Sequence, residues 1–551
     1  MGRAKEACEY LDRAVAIAPD DAVSVEYLME ATAESKGIRS ITKELERLRM
    51  LSKSQSWVEL ENSGRKLIMD DPCQGEVLGL VAYSLQQQER LAEALEFARR
   101  ATEVSPDQWL SQYVAGYALK GMGRTKEACE YLRRAVAIAP EKAVCVNHLI
   151  AAVAVADGVH AAAAEYAAHC RRLGWPEEIQ VARISTAVAW AQACGQAVVD
   201  AGEGEEIPFE APQLWNRTVP PERYSVMIGR PQVVEVADAR IMSGCSLVLT
   251  RDGAALNDLA GHPRFGRYVS FSGEGAVLGK TPDEVLLRLS GYETRTIAAG
   301  IFLAGSASEA FGHWFPDMLP RLQFLRQHPE FGDFPLIVDE GMPASHYDHL
   351  ARLADNPLIR LRAGESLVCG RLLMASSPSF CPVEMLPNDI PVHELPGLSP
   401  RAMRFLRGGS DGAHCGPRTG RFFLARRNMK WRRLLNEAEI VAELSKSGFE
   451  TVFLEELDAG QQIELFRRAE WIVAPNGSAL LNLIFSDPAV KLLILSQPEL
   501  FNWGTFQGPM RALGYSPVWL CGEEAGASEY KHSDYRVSIQ QIRLVLAEMG
   551  L

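Results

Sequence analysis

The 551-residue chain has no run of about 18 uncharged apolar residues, the length a helix needs to cross a bilayer. Its first residues, Met1-Gly-Arg-Ala-Lys-Glu-Ala-Cys-Glu9, carry acid early and have no apolar core, so no secretory leader is expected. Eleven cysteines form no Cys-x-x-Cys pair and no zinc spacing. Scattered thiols in a large chain read as reduced, intracellular and used for packing. Asn216-Arg-Thr and Asn476-Gly-Ser match the glycan acceptor pattern, but an intracellular chain makes no use of it. Basic residues are the minority, 57 against 70 acids, and a net charge of −13 excludes general nucleic-acid binding. No Gly-x-Gly-x-x-Gly follows any predicted strand, which excludes a dinucleotide oxidoreductase of the usual kind.

What is present begins with a repeat. The eighteen residues Gly2 to Pro19 return as Gly123 to Pro140 with only two differences, at Ala4/Thr125 and Asp12/Arg133. The stretch Glu89 to Pro106 follows the same pattern. Pro72, Pro106 and Pro140 recur at an interval of 34 residues. This period, with Gly116, Ala128 and Ala135 at positions that need small side chains, resembles the tetratricopeptide repeat. Such units are helical hairpins that bury their apolar faces only against neighbours. The chain opens at the second helix of a unit, so a first helix is expected upstream or an irregular start at 1–20. Alanine-rich helix continues through 150–195. Residues 196–225, with Asp200-Ala-Gly-Glu-Gly-Glu-Glu-Ile-Pro and Pro220-Pro-Glu, read as a linker.

Beyond about residue 226 the texture is mixed α/β. Val233–Ile241, Cys245–Thr250 and Phe334–Asp339 are predicted strands. Gly408 to Gly420 reads as a second linker. After it, five predicted strands (Arg421–Ala425, Phe449–Leu454, Trp471–Ala474, Lys491–Leu495, Pro517–Leu520) alternate with five helices (Asn436–Ser447, Ala459–Ala469, Ser478–Ile484, Phe506–Leu513, Gln540–Glu548). That alternation predicts a parallel, doubly wound sheet whose ligand lies beyond the strand C-termini. The organisation expected is a repeat arm over 1–195, a linker over 196–225, one α/β half over 226–407 and a second over 408–551.

Three stretches carry candidate chemistry. In Ala474-Pro-Asn-Gly-Ser, a buried strand turns into a helix. Gly477 is expected to adopt an unusual backbone shape and leave room for a ligand, with Ser478 as the N-cap. Free N–H groups at such a turn suit phosphate. Arg421 to Arg433 holds six basic residues and no acid, which reads either as a solvated loop or as guanidinium forks for a diphosphate. His313 and Asp317, four residues apart, read either as a structural pair or as a general base with its orienting acid.

Taken together, four blocks resemble glycosyltransferase family 61, which includes bacterial capsular-polysaccharide enzymes. They are His313-Trp-Phe-Pro-Asp-Met-Leu-Pro-Arg-Leu322, Ala425-Arg-Arg through Arg432-Arg-Leu-Leu-Asn-Glu437, Gln462 through Ala469, and Asn476-Gly-Ser-Ala-Leu-Leu-Asn482-Leu-Ile-Phe485. Asn476 stands where the family often has His, and Ala425 where it often has Ser. The resemblance implies two Rossmann-like halves facing a cleft (the GT-B arrangement), the first on the acceptor side and the second on the donor side. It implies inverting transfer of a sugar from a nucleotide diphosphate to a hydroxyl of a glycan or protein. His313 or Asp317 would be the base. Arg426, Arg432, Arg433, Asn436, Asn476, Gly477, Ser478 and Asn482 would surround the donor. No Asp-x-Asp motif lies in these blocks, so no metal and no cofactor are expected. The compartment expected is the cytoplasm of a bacterium, with the repeat arm docking an acceptor or protein partner. The alternative is an inactive relative in which the arm is a scaffold, and the Asn476 exchange is its best support.

Overall fold

Ala, Leu and aromatic residues at helical spacing build the first part of the chain. The computed structural model describes residues 38–70, 74–218, 223–258, 271, 274–379, 397–408, 418–427, 432–498, 504–525 and 533–551. The first repeat copy at 2–19 and most of the second predicted linker lie outside the described residues. Two compact units emerge, Met1–Leu149 and Ile150–Leu551.

In the first unit the helices are α1 (Ile38–Lys53), α2 (Trp57–Asp70), α3 (Gly75–Gln87), α4 (Leu91–Val104), α5 (Trp109–Gly121) and α6 (Thr125–Ile138), followed by the start of α7 (Ala143–Asp157). Each of α2 to α5 packs on the next helix, and α3 also on α5, as stacked hairpins do. The small-residue positions have a direct cause. A Cβ at Gly116 would lie 2.6 Å from Leu132 Cγ and 3.2 Å from the Ala128 carbonyl. Ala128 and Ala135 on the facing helix are fully buried.

The second unit starts within α7. Helix α8 (Val159–Leu173) ends at Gly174 in the left-handed conformation (φ 67°), then the chain becomes strand β1 (Ile179–Ser185). Helix α8 packs on β1 and on β8 (Val277–Lys280) and β9 (Glu284–Arg288), covering a sheet. The helical region thus ends at Leu173, short of the expected 195, because 179–185 pairs with β9 and with β7 (Ala254–Leu256). The predicted linker also carries structure. Strand β2 (Val198–Asp200) pairs with β5 (Gln232–Met242), and β3 (Glu205–Glu210) pairs with β4 (Arg223–Ile228). Its acid-rich composition hides a strand, because Ile207 and Phe209 alternate inward.

Among the described residues the larger sheet has eleven strands. Its parallel part runs β12 (Leu358–Leu361), β11 (Leu336–Asp339), β10 (Glu293–Phe302), β13 (Glu365–Ala375). Then β5 joins β13 antiparallel, followed by β6 (Val248–Leu249), β7, β1, β9 and β8. This half is a mixed sheet, larger than a simple Rossmann-like half.

Among the described residues the second sheet is fully parallel with five strands. They are β14 (Gly420–Leu424), β15 (Glu450–Val452), β16 (Ala469–Pro475), β17 (Lys491–Ser496) and β18 (Val518–Cys521), in the order β15-β14-β16-β17-β18. The chain moves outward one way from β14 to β15 and the other way from β16 to β18. The topological switch point therefore falls between β14 and β16. One apolar core serves both sheets, from Ile301 and Trp314 to Ile472 and Leu480.

Residues 203–217 tie the sheets further. Gly508 of helix Gly504–Ala512 abuts the Pro208 carbonyl, and Arg511 pairs with Glu210 at 3.2 Å. Trp215 N–H donates to the Trp519 carbonyl (2.8 Å). The Asn216 amide donates to Cys521 O (2.8 Å) and accepts from Cys521 N (3.1 Å). The Asn216 amide is thus spent on β18.

Candidate active site

Strand β14 ends at Leu424, and Ala425 N–H still donates to Val452 O (2.9 Å), so the chain leaves the sheet at Arg426. Strand β16 ends at Pro475, paired with Leu495, and Asn476 N–H donates to Leu495 O (2.8 Å). The basic stretch and the Asn-Gly-Ser turn therefore meet at the switch point. The Arg426 guanidinium crosses between them, donating to the Pro475 carbonyl (3.1 Å) and to the Asn476 carbonyl. The Asn476 main chain makes this contact, so it does not depend on the Asn476 side chain.

Gly477 is not in a left-handed conformation. Its φ of 173° is extended, so the expected unusual backbone shape is absent. It is glycine for another reason, because a Cβ there would collide with the Arg426 guanidinium. The room it leaves is filled by Arg426. Ser478 is not the N-cap either. Gly477 holds that position, no side chain caps it, and exposed Ser478 is the first residue of a 3-10 helix, Ser478–Phe485.

Arg426, Arg432, Arg433, Leu434, Leu435, Glu437 and Pro475 line a cavity of about 360 Å³. Burial works against the charge of Arg426. Burial, and then the neighbouring Arg426 charge, do the same to Arg432. Neither forms a salt bridge among the described residues. Arg432 Nε is buried without a partner, and its φ of 57° is a strained value for a side chain of this size. Two half-buried guanidinium groups lining one cavity have the charge and fork geometry that suit an anion with several oxygens. Arg433 lines the same cavity, but its guanidinium is paired with Asp534 at 2.6 and 2.9 Å.

Two predicted donor residues have structural partners. Asn436 exchanges hydrogen bonds with the Val537 main chain (2.8 and 3.1 Å), clamping the loop before helix Glu437–Ser445. Asn482 is buried and donates to Gln462 Oε1 (3.3 Å), while Gln462 donates to the Leu454 and Leu457 carbonyls.

His313 ends the short helix Phe311–His313, and Asp317 lies in a π-helical turn, Trp314–Met318. Such turns are frequent at functional sites. Gly312 brings this segment to the second sheet, where a Cβ would lie 3.1 Å from Ser478 Cβ. His313 is thus next to a residue touching the turn that holds Arg426. Asp317 points elsewhere in the network. It is buried, accepts from Ser377 Oγ and pairs with Arg321 (3.7 Å), which also meets Asp258 (3.6 Å). Behind His313 the packing is aromatic. Trp314 stacks on His346 (4.5 Å, 7°) and His349 on Phe485 (5.9 Å, 8°). Burial pushes His346 down to about 4 and, with the Arg352 charge, His349 down to about 3, so both are neutral.

Sequence reasoning assigned no role to Glu437, Leu434 or Leu435 in the cavity, nor to Asp534. Glu437 stands directly after Asn436 in a matching block, a signal that was available. Nothing local marks Asp534, about a hundred residues away in sequence.

Fold and site define an α/β protein with an arginine-lined cavity at the switch point of a doubly wound sheet, preceded by helical repeats. Residues 311–493 match the family model Glycosyltransferase 61, and residues 111–142 match a tetratricopeptide repeat. The first match covers about a third of the chain and contains every predicted site residue; it suggests glycosyltransferase activity. No curated protein matches the chain. Similar solved structures include residues 41 to the end of MamA from Desulfovibrio magneticus RS-1, at 17% identity and TM-score 0.23, covering 30% of this chain and 93% of that one. Another is the first TPR domain of human RPAP3, at 17% identity and TM-score 0.18, covering 19% and 84%. A third is the Arabidopsis OM64 TPR domain, at 16% identity and TM-score 0.19, covering 19% and 88%.

Proposed function

We propose that this chain transfers a sugar from a nucleotide diphosphate to an acceptor hydroxyl with inversion at the anomeric carbon. The observation that carries this reading is the pair of half-buried guanidinium groups without a salt bridge among the described residues, Arg426 and Arg432, in one cavity at the switch point. They would meet the charge that develops on the departing diphosphate. In the step proposed, the acceptor oxygen attacks the anomeric carbon and its proton passes to the His313 imidazole. The bond from that carbon to the diphosphate breaks, and the electron pair leaves with the nucleoside diphosphate. His313 is taken as the base because the adjacent Gly312 lies against Ser478, beside the turn that holds Arg426. Asp317 then positions the π turn.

In this reading the two sheets are the two sides of a GT-B cleft, with the acceptor, a glycan or protein, on the side of the larger one. The arginines supply the countercharge without a divalent ion. The repeat arm docks a protein partner or acceptor, and the reaction belongs to bacterial polysaccharide assembly in the cytoplasm. No helix among the described residues is long and apolar enough to cross a membrane.

The test is calorimetric titration with UDP-, GDP- and CMP-sugars, with and without EDTA, beside Arg426→Ala. One donor is expected to bind with a micromolar Kd in EDTA and to lose at least about tenfold in the variant. A folded chain that binds none of them overturns the reading.

A further inference from the structure

Arg432 lines the cavity from an uncommon backbone, with φ at 57° and its Nε buried without a partner. A side chain of this size keeps such a conformation only where its surroundings impose it. The ties begin at the next residue. One oxygen of the Asp534 carboxylate accepts the Arg433 main-chain N–H (2.8 Å), and the other accepts the Arg433 guanidinium (2.6 and 2.9 Å). Tyr535 N–H then donates to the Arg433 carbonyl (3.0 Å), and Leu435 N–H to the Tyr535 carbonyl (2.9 Å). Asn436 exchanges its two bonds with Val537. Residues 433–436 therefore lie along 534–537. That base is rooted in the second sheet, because the buried Tyr535 donates its hydroxyl to the Leu495 carbonyl (3.2 Å) in β17.

Stability alone does not account for an acid at 534. Asp534 is only 7% exposed, and removing a carboxylate from water is costly. Its partner, the Arg433 side chain, is 53% exposed, and ion pairs of that kind contribute little. A negative charge near an arginine-lined cavity also opposes the binding of an anion there. The bonds made by Tyr535 and Asn436 hold the two segments together without the Asp534 side chain. What the carboxylate adds is three hydrogen bonds to one residue. The Arg433 N–H belongs to the peptide group that follows Arg432, so the bond to it fixes the backbone on which the Arg432 side chain stands. Asp534 itself stands outside the cavity lining.

We infer that Asp534 is a positioning residue for the diphosphate site: it grips Arg433 at both its main chain and its guanidinium, and so keeps Arg432 in the left-handed backbone that presents its guanidinium to the cavity. Asp534 does not touch the ligand, and Arg433 serves as the handle rather than as a further phosphate ligand. This rests on the reading of the cavity as a diphosphate site. It adds the residue, about a hundred positions away, on which one of the two cavity arginines depends.

The experiment is titration of the full chain with inorganic pyrophosphate, in wild type, Arg432→Ala, Asp534→Asn, Asp534→Ala and the two double variants, each beside a thermal melt. Charge alone predicts that removing the acid tightens the anion, the more so because Arg433 is freed to bind it. Loss of position predicts the reverse sign. Asp534→Ala is expected to weaken pyrophosphate at least about tenfold, as Arg432→Ala does, because a charge-assisted contact is lost in both. Asp534→Asn can still accept the Arg433 N–H but loses the ion pair, so its affinity is expected between those of wild type and Asp534→Ala. In the Asp534→Ala background, Arg432→Ala is expected to cost less than about threefold more, since the side chain has already left its place. A purely structural role would lower the melting midpoint without producing this coupling. Binding as tight as wild type or tighter in a folded Asp534 variant, or an Arg432→Ala loss of equal size in both backgrounds, overturns the role of Asp534 and leaves the diphosphate site standing. Should Asp534→Ala not fold, the asparagine variant carries the same cycle, with a smaller Arg432→Ala loss than in wild type as the expected result. A wild-type chain that binds neither pyrophosphate nor UDP, GDP, ADP or CDP overturns both.

Discussion

Arg426 and Gly477 form a matched pair: the guanidinium lies where a larger residue would put its Cβ, and two main-chain carbonyls receive it. Gly477→Ala is expected to displace Arg426 and weaken diphosphate binding at least about tenfold, because a charge-assisted contact is lost. The extended φ accepts alanine, so the thermal midpoint should change little. Titration beside a melt checks both halves. Asn216 is a second residue with a clear task, since its amide completes two hydrogen bonds with Cys521. Asn216→Ala is expected to cost about 1–3 kcal/mol, read from denaturant unfolding, with no direct effect on nucleotide binding. That Arg426 belongs to a basic stretch just after a strand could be read from the sequence. That Arg433 is engaged by Asp534 could not, because the partner arrives from another loop.

The element that presents His313 is held by rings. His346 and His349 are packed neutral against Trp314, Phe315 and Phe485, and Arg352 donates to His349 Nδ1 (3.2 Å). His349 Nε2 is buried without a partner. Folding lowers both pKa values from the ordinary 6.5, to about 4 and about 3. The stability linked to them is therefore complete above about pH 6.5 and is lost as pH falls toward those values, because the unfolded chain takes up protons first. His349→Phe keeps the ring contacts and removes one titrating group. Its denaturant midpoint is expected to fall less than that of the wild type between pH 7 and pH 5. Elsewhere, elements follow local pattern where burial is regular. The five strands of the second sheet stand within two residues of their predicted ends, because each is a short buried run between loops. Strand β10 was missed. Its first half is exposed, and Ala298, Ala299 and Gly300 carry no period-2 signal.

At the scale of the molecule, every candidate site residue lies within Ile150–Leu551, and the repeat helices to Leu149 form a separate unit. Calorimetry is expected to resolve two melting transitions. A nucleoside diphosphate at about a hundred times its Kd should raise only the transition of the larger unit, by about 2.7 kcal/mol of added stability. A shift of both transitions, or of neither with binding intact, contradicts this assignment. The stretch 196–225 shows how the larger unit is held together. Its acids and prolines read as a linker, yet it supplies β2 and β3 and the contacts of Trp215 and Asn216 with the second sheet.

The sequence by itself determined the helical repeats, the alternation of the second sheet and the three stretches that hold the candidate site residues. Those properties depend on residue types at short, regular spacing. Only the tertiary structure decided which side chains meet. It put Arg426 in the space Gly477 leaves, tied Asp317 to Arg321 and Ser377, used Asn436 and Asn482 as internal clamps, and placed Glu437 among the arginines. Such pairings join residues tens to hundreds of positions apart, and strand order, which no local window encodes, brings them together.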